Sequence, residues 1–171
     1  MTHWALDLAD YRRDVAESYG QARAGGPGPA AWQAWRRRRD LLIGTHPQSP
    51  LPQDLQRLGW ETPFFAHDPA WRMSGALTPA ADPATIEVAH SAAGSTRFTE
   101  VGSLALEGTN LTASLTLFWL DAYGGGLFLP FTDATSGAST YGGGRYLLDT
   151  AKGADLGRLE DGRLILDFNY A

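Results

Sequence analysis

The residues best suited to chemistry lie in one stretch of the second half of the chain. Between positions 126 and 149 an apolar segment leads into a polar loop, and an arginine follows three consecutive glycines. An arginine offers a planar set of N–H donors that matches a carboxylate or a phosphate. The stretch therefore predicts a site for a polar or anionic small molecule, and its candidate ligand-binding residues are Asp133, Thr135, Ser136, Thr140, Tyr141 and Arg145.

Two interpretations of this stretch stay open at the level of sequence. In the first, Asp133 accepts hydrogen bonds from backbone amides of its own turn and pairs with Arg145 across a hairpin, so the polar residues only hold the loop together. In the second, the glycines at 142–144 let a ligand approach the backbone closely, and Arg145 binds that ligand. A strand and not a helix follows these glycines, without a Lys-Ser/Thr pair, which argues against a P-loop.

An enzyme is the first alternative function. Asp133 would then act as a base, Tyr141 as an acid or oxyanion donor, and Arg145 would hold the substrate. A serine hydrolase is disfavoured because Gly-x-Ser-x-Gly is absent and none of the four histidines lies in a recognisable partner motif. We assign no catalytic residue on this basis. We also expect no metal and no cofactor, since paired-histidine spacings, dense carboxylate loops and cysteines are all absent.

A protein interaction module is the second alternative. Its apolar surface would be an exposed patch formed by Trp4, Trp32, Trp35 and Trp60. Such a patch would bind another protein or a second copy of the chain. The sequence is compatible with a monomer or a homodimer.

Composition restricts the class of protein. The chain has 171 residues, of which 43% are hydrophobic and 19% charged, as in ordinary globular domains. Its net charge of −5 gives no general attraction to nucleic acid or to an anionic membrane. No apolar run approaches the ~20 residues of a membrane span, and the first residues lack the features of a signal peptide. We therefore expect a cytoplasmic protein that binds neither nucleic acid nor membranes.

Two helices are predicted in the N-terminal part. Apolar residues recur at steps of three and four from Trp4 to about Arg23, and a second helix is expected from about Ala30 to Gly44. Glycines and prolines at 25–29 separate the two. Four consecutive arginines at 36–39 must spread around the second helix, which indicates an ion-paired, solvated helix and not a flat basic surface.

The hydrophobic pattern changes from helical to alternating after Trp71. With no helical pattern between the strands, the fold class is α+β, mainly β. We expect an antiparallel meander that forms a barrel or strongly curved sheet, with two N-terminal helices packed against it. Residues 1–171 are interpreted as a single domain, with a helical part at 1–59 and an antiparallel β part at 60–171. The predicted strands are 84–90, 95–101, 102–107, 111–120, 127–131, 145–149 and 163–169.

Three further polar residues alternate with apolar ones on the predicted strands, namely Asp149, Asp167 and Asn169. Side chains that point into a barrel would line a cavity, whereas the same side chains pointing outward would be ordinary surface. The sequence does not decide between these orientations.

Three motifs connect the chain to a known family. They are Trp35-Arg-x-x-Arg-Asp40 leading into His46-Pro-x-Ser-Pro-Leu51, then Phe131-x-Asp133-Ala-Thr-Ser-Gly137-x-x-Thr140-Tyr-Gly-Gly-Gly-Arg-Tyr-Leu147, and Leu166-Asp-Phe-Asn169. Through them nearly the whole chain resembles a bacterial family of uncharacterised proteins, domain-of-unknown-function family 1684. The resemblance implies no agreed activity, so it transfers no catalytic role. Relatives continue beyond the last motif, and we expect this sequence either to be shortened or to lack that segment.

Overall fold

The computed structural model describes residues 3–89, 94–107 and 111–171, which contain two α-helices and seven β-strands. They form two compact units. One unit is Met1–Pro69 with Lys152–Ala154, and the other is Ala70–Ala151 with Asp155–Ala171. Neither helix in the described part of the chain combines the length and the apolar character that crossing a membrane requires.

The first unit contains both helices at the predicted places. Helix α1 is Trp4–Gly25, and its first turn is capped by the His3 Nδ1 atom, which accepts a hydrogen bond from the Ala5 amide. Helix α2 is Pro29–Thr45 and begins with a proline, whose missing N–H costs nothing at that position. The two helices contact each other, and the rings of Tyr19 and Trp35 meet edge to face at 5.5 Å.

The tryptophans of α2 are part of the interior and not of the surface. Trp32 and Trp35 are both buried, and the ring of Phe64 packs edge-on against each of them, at 6.4 and 5.6 Å. Of the four tryptophans predicted to form an exposed patch, Trp4 is mostly exposed and Trp60 only partly so. The prediction of that patch was wrong, because aromatic side chains on α2 supply the apolar interior of this unit. The interaction-module hypothesis loses the surface on which it depended.

The second unit contains a seven-stranded antiparallel sheet. The strands are β1 Arg72–Pro79, β2 Thr85–Ala89, β3 Ser95–Glu107, β4 Thr112–Leu120, β5 Leu127–Phe131, β6 Arg145–Asp149 and β7 Leu164–Asp167. They pair in the order β6-β5-β4-β3-β1-β7, with β2 added on β3. Strands β6 and β7, at the two ends of this order, approach each other, so the sheet is a nearly closed barrel. The predicted fold class, mainly β with N-terminal helices, is confirmed.

The predicted strands differ from the observed ones in three places, and a β-bulge explains the first difference. Residues predicted as two strands, 95–101 and 102–107, form the single strand β3. Its pairing with β4 shifts between Glu100 and Gly102, so the inward-facing positions change parity there and the sequence resembles two strands. Gly102 is required at this bulge because a Cβ atom would overlap the carbonyl oxygen of Thr78.

No strand was predicted from the sequence at the position of β1. Gly75 interrupts its apolar alternation, although it lies in the middle of the strand and pairs with both neighbouring strands. At the end of the chain the predicted strand 163–169 is shorter, since β7 gives way to a 3-10 turn over Phe168–Tyr170. His90, the predicted end of the strand at 84–90, lies outside the described residues.

The core of the sheet consists of leucines that are almost completely inaccessible to solvent. They lie on one face of the sheet, and Phe131 at the end of β5 is buried with them. The polar hairpin begins at the next residue, so it is located where the apolar core ends. The most deeply buried members are Leu104, Leu106, Leu117, Leu129, Leu148 and Leu166.

Candidate functional site

The predicted site lies at the end of the β5–β6 hairpin. Phe131, the last residue of β5, is directly opposite Arg145, the first residue of β6. Opposed residues of an antiparallel pair project to the same face, so Arg145 shares the face of the buried Phe131. Its guanidinium carbon is 4.8 Å from the centroid of that ring. A flat cation over a ring face is a favourable arrangement, and it holds Arg145 at the edge of the core.

Asp133 pairs with Arg145, as the first of the two interpretations predicted. Arg145 Nη2 donates to Asp133 Oδ2 at 2.6 Å. The other carboxylate oxygen, Oδ1, accepts from the Thr135 amide at 2.9 Å and from the Thr135 hydroxyl at 2.5 Å. This carboxylate therefore both closes its own turn and fixes the orientation of the guanidinium.

A chain of hydroxyls extends the pair. Thr135 Oγ1 also accepts from Arg145 Nη2, at 3.3 Å, and lies 2.9 Å from Thr140 Oγ1. The single hydroxyl proton of Thr135 is used by Asp133, so Thr140 must be the donor to Thr135. The order of donation is thus Thr140 to Thr135 to Asp133, which leaves the Thr140 oxygen able to accept.

Ser136 stabilises the turn. Its hydroxyl oxygen accepts from the Asp133 amide at 3.1 Å, and its amide donates to the Asp133 carbonyl at 3.0 Å. The Thr135 carbonyl accepts from the amides of residues 138, 139 and 140, each at 3.0 Å. The loop is thus closed by its own hydrogen bonds.

Tyr141 is 78% exposed, yet the backbone beside it determines where its ring lies. A Cβ atom at Gly143 would be 2.5 Å from Tyr141 Cε1 and 3.1 Å from Cζ, so the ring occupies the place of the missing side chain. Gly144 has a φ of +88°, and its Cβ would lie 2.7 Å from the Phe131 carbonyl oxygen. These two glycines accommodate groups of the protein itself and do not leave open space over the backbone.

The pKa of Asp133 is lowered. Partial burial acts to raise the pKa of this carboxyl, but hydrogen bonds from the hydroxyl and amide of Thr135 and the charge of Arg145 together outweigh that effect. A general base at neutral pH works best with a pKa raised towards 7. The electrostatics therefore disfavour Asp133 as the base of the enzyme hypothesis.

Arg145 keeps unused donors. Its side chain is 18% exposed, and both hydrogen bonds that this side chain makes to described residues come from Nη2. The Nε atom is buried and has no hydrogen-bond partner among the described residues. Nearly all buried polar groups in proteins have a partner, and leaving one without costs about 1–3 kcal/mol. The site can therefore donate hydrogen bonds to a ligand.

A second Arg–Asp pair joins β1 to β7 in the same unit. Arg72 Nη1 is 3.1 Å from Asp167 Oδ2, and the two residues are directly opposite in the strand register. Asp167 is 3% exposed, and its Oδ1 accepts from the amide and the side-chain Nδ2 of Asn169, at 3.0 and 2.7 Å. Sequence reasoning marked Asp167 and Asn169 but missed Arg72, whose role depends on the unpredicted strand β1.

Tyr170 lies beside this second pair. Burial and the negative charge of Asp167 raise its pKa to about 12, although Arg72 acts in the opposite direction. The phenol is therefore neutral over the whole physiological range. Asp149, the other marked carboxylate, is buried on β6.

Aromatic rings connect the two Arg–Asp pairs. The ring of Phe168 meets Phe131, which lies under Arg145, edge to face at 5.0 Å. On its other side Phe168 meets Trp71, the residue before Arg72, at 5.9 Å. No three histidine, aspartate or glutamate side chains within 3–89, 94–107 and 111–171 are placed together to hold a metal ion.

Comparison with known proteins identifies a family but no activity. The model of a family described as Protein of unknown function (DUF1684) matches residues 60–171. A solution NMR structure of an uncharacterized protein from Haloarcula marismortui is 27% identical, with a TM-score of 0.53. That match covers 82% of this chain and 75% of the other. A search of curated proteins finds no match.

Proposed function

The chain belongs to the family of proteins of unknown function DUF1684, and from that premise we propose that its second unit binds a small anionic molecule through Arg145. The observation that carries the proposal is the buried Nε of Arg145, which has no acceptor among the described residues. An anionic oxygen would supply one, and the loop beside Arg145 must move to admit it, because Nε is inaccessible to solvent. The contribution of such a charge-assisted hydrogen bond exceeds that of a neutral one.

The acceptors and donors of the site are unequally used, which favours an anion over a cation. Both oxygens of Asp133 already accept hydrogen bonds, from Arg145 and from Thr135. Arg145 has five side-chain N–H groups, and among the described residues only those of Nη2 find acceptors. A cationic ligand would compete for an occupied carboxylate, whereas an anionic ligand would meet free donors.

The candidate residues then divide into two roles. Arg145 binds the anion, with the exposed Tyr141 hydroxyl and the Thr140 oxygen as polar groups of the same loop. Asp133, Thr135 and Ser136 orient Arg145 and the loop through the hydrogen bonds described above. Phe131 supports the guanidinium from below. Orientation by a fixed carboxylate reduces the rotamer freedom that Arg145 would otherwise lose on binding.

Isothermal titration with acetate and with inorganic phosphate tests the proposal. We expect at least one of them to bind, and Arg145→Gln to lower its affinity about tenfold or more, because a hydrogen bond to a charged group contributes about 1.5–3 kcal/mol. Arg163→Gln is the matched control, since Arg163 Nε pairs with Asp161 at 2.8 Å on the exposed surface. Absence of binding to both anions, or equal binding by the Arg145 variant, would contradict the proposal.

A further inference from the structure

The aromatic rings beside Arg145 form a row that runs from the core to the surface. Phe131 is buried, Phe168 is half-buried, and Trp71 is 43% exposed. Successive rings meet edge to face, with interplanar angles of 74° and 64°. The row therefore begins under a cation with unused donors and ends at a ring that is partly open to solvent.

The charged residue next to the far end of this row is part of an ion pair. Arg72 follows Trp71 directly, but its guanidinium is paired with Asp167. A ligand that extends from Arg145 towards Trp71 thus meets the exposed parts of the Phe168 and Trp71 rings and an ion pair without net charge. The surface is complementary to an apolar group and not to a second anionic group.

We infer that the ligand is an aromatic carboxylate whose carboxylate binds Arg145 and whose ring packs against Trp71, an inference that rests on the proposed function. The edge-to-face arrangement of Phe131, Phe168 and Trp71 favours an aromatic group over an alkyl chain, because a further ring continues the same packing. Since Phe131 and Phe168 separate Arg145 from Trp71, a short linker lies between the carboxylate and the ring of the ligand.

Two matched series of carboxylates test this inference by isothermal titration. One series is benzoate, 3-phenylpropanoate and 5-phenylpentanoate, and the other contains the straight-chain alkyl carboxylates with the same numbers of carbon atoms. We expect the longer phenyl compounds to bind about 3- to 10-fold more tightly than their alkyl counterparts, the range of one aromatic pair. Benzoate is too short to reach Trp71, so we expect its affinity to be close to that of its alkyl counterpart.

Variants at Trp71 test whether its ring causes the preference for phenyl over alkyl carboxylates. Trp71→Leu should remove the preference for phenyl over alkyl compounds, and Trp71→Phe should retain most of it. Thermal unfolding of both variants checks the fold, which we expect to persist because Trp71 is partly exposed. Equal affinities for the phenyl and alkyl series, or a preference that survives in Trp71→Leu, would overturn the aromatic inference.

The two proposals fail in different ways. If carboxylates bind and Arg145→Gln abolishes binding, but the ring adds nothing, the anion site stands and the aromatic ligand is wrong. If no carboxylate of either series binds in a way that depends on Arg145, the aromatic inference is wrong, and the anion site is also wrong unless inorganic phosphate binds in that way.

Discussion

Two Arg–Asp pairs of the second unit, one between strands and one in the β5–β6 hairpin, use the same groups in opposite arrangements. In the strand pair, Arg72 with Asp167, the carboxylate is the buried partner at 3% exposure. In the hairpin pair, Arg145 with Asp133, the guanidinium is the more buried partner, and the carboxylate is 40% exposed. Each pair thus places a different member in a low-dielectric environment.

The identity of the buried partner in each pair determines which hydrogen-bonding groups remain available to a ligand. The buried Asp167 accepts from Arg72, from the Asn169 amide and from the Asn169 side chain, so its oxygens are occupied by the protein. The guanidinium of Arg145 retains a buried N–H without an acceptor among the described residues. We conclude that the strand pair is built to stabilise the fold, whereas the hairpin pair retains capacity for a ligand.

The largest expected effect is a difference in stability between the two carboxylates. Asp167→Ala should lower the free energy of unfolding by about 3 kcal/mol, because it leaves Arg72 and the Asn169 side chain without their acceptor. Asp133→Ala should cost about 1 kcal/mol or less, since that pair is largely solvated on the carboxylate side. Urea denaturation measures both. Equal losses in the two variants would remove the distinction that we draw.

Alkaline pH should remove the stability that Tyr170 contributes beside the strand pair. The pKa of Tyr170 is about 12 in the folded protein, above the usual value of 10, so the unfolded chain loses this proton first. The corresponding stability is complete below pH 10 and is lost as the pH rises towards 12. We expect the loss to reach about 2 kcal/mol, from roughly 1.4 kcal/mol per pH unit.

Tyr170→Phe is the control for this prediction, because it keeps the ring and removes the titrating proton. Chemical denaturation at a series of pH values should give a steeper decline for the wild-type protein than for the variant between pH 10 and 12. Parallel curves would show that Tyr170 does not titrate as described.

The difference between the pairs also explains what the sequence could predict. The hairpin pair is local, since Asp133 and Arg145 are 12 residues apart, with turn-forming residues between two alternating strands. Its pairing was one of the two interpretations that the sequence left open. The strand pair joins residues 95 positions apart, and it exists only because β1 and β7 are neighbours in a particular register. Local patterns carry no information on such a register.

The glycines at 142–144 show a similar limit to prediction from sequence, here within a single loop. The sequence indicated that something approaches the backbone at 142–144, and the structure shows that protein groups do so at 143 and 144. Whether a ligand or the chain itself fills such a space depends on where the Tyr141 ring and the Phe131 carbonyl lie. Neither position follows from residue types alone.

The smallest expected effects are the changes in stability caused by alanine substitutions at two neighbouring glycines of the hairpin. Gly144→Ala should lower the free energy of unfolding by about 1 kcal/mol or more, because φ is +88° and the new methyl group would meet the backbone carbonyl of Phe131. Gly143→Ala should change stability by only about 0.5 kcal/mol, since the methyl group meets the exposed Tyr141 ring, which can turn away.

The Gly143 variant nevertheless tests which residues of the hairpin contribute to anion binding, because it displaces Tyr141 without disturbing the Arg145–Asp133 ion pair. If Tyr141 belongs to the anion site, titration with the anion that binds the wild-type protein should show a weaker affinity in Gly143→Ala at nearly unchanged stability. Tyr141→Phe should reproduce the loss if the hydroxyl is the contributing group. Unchanged affinity in both variants would confine the site to Arg145 and remove Tyr141 from it.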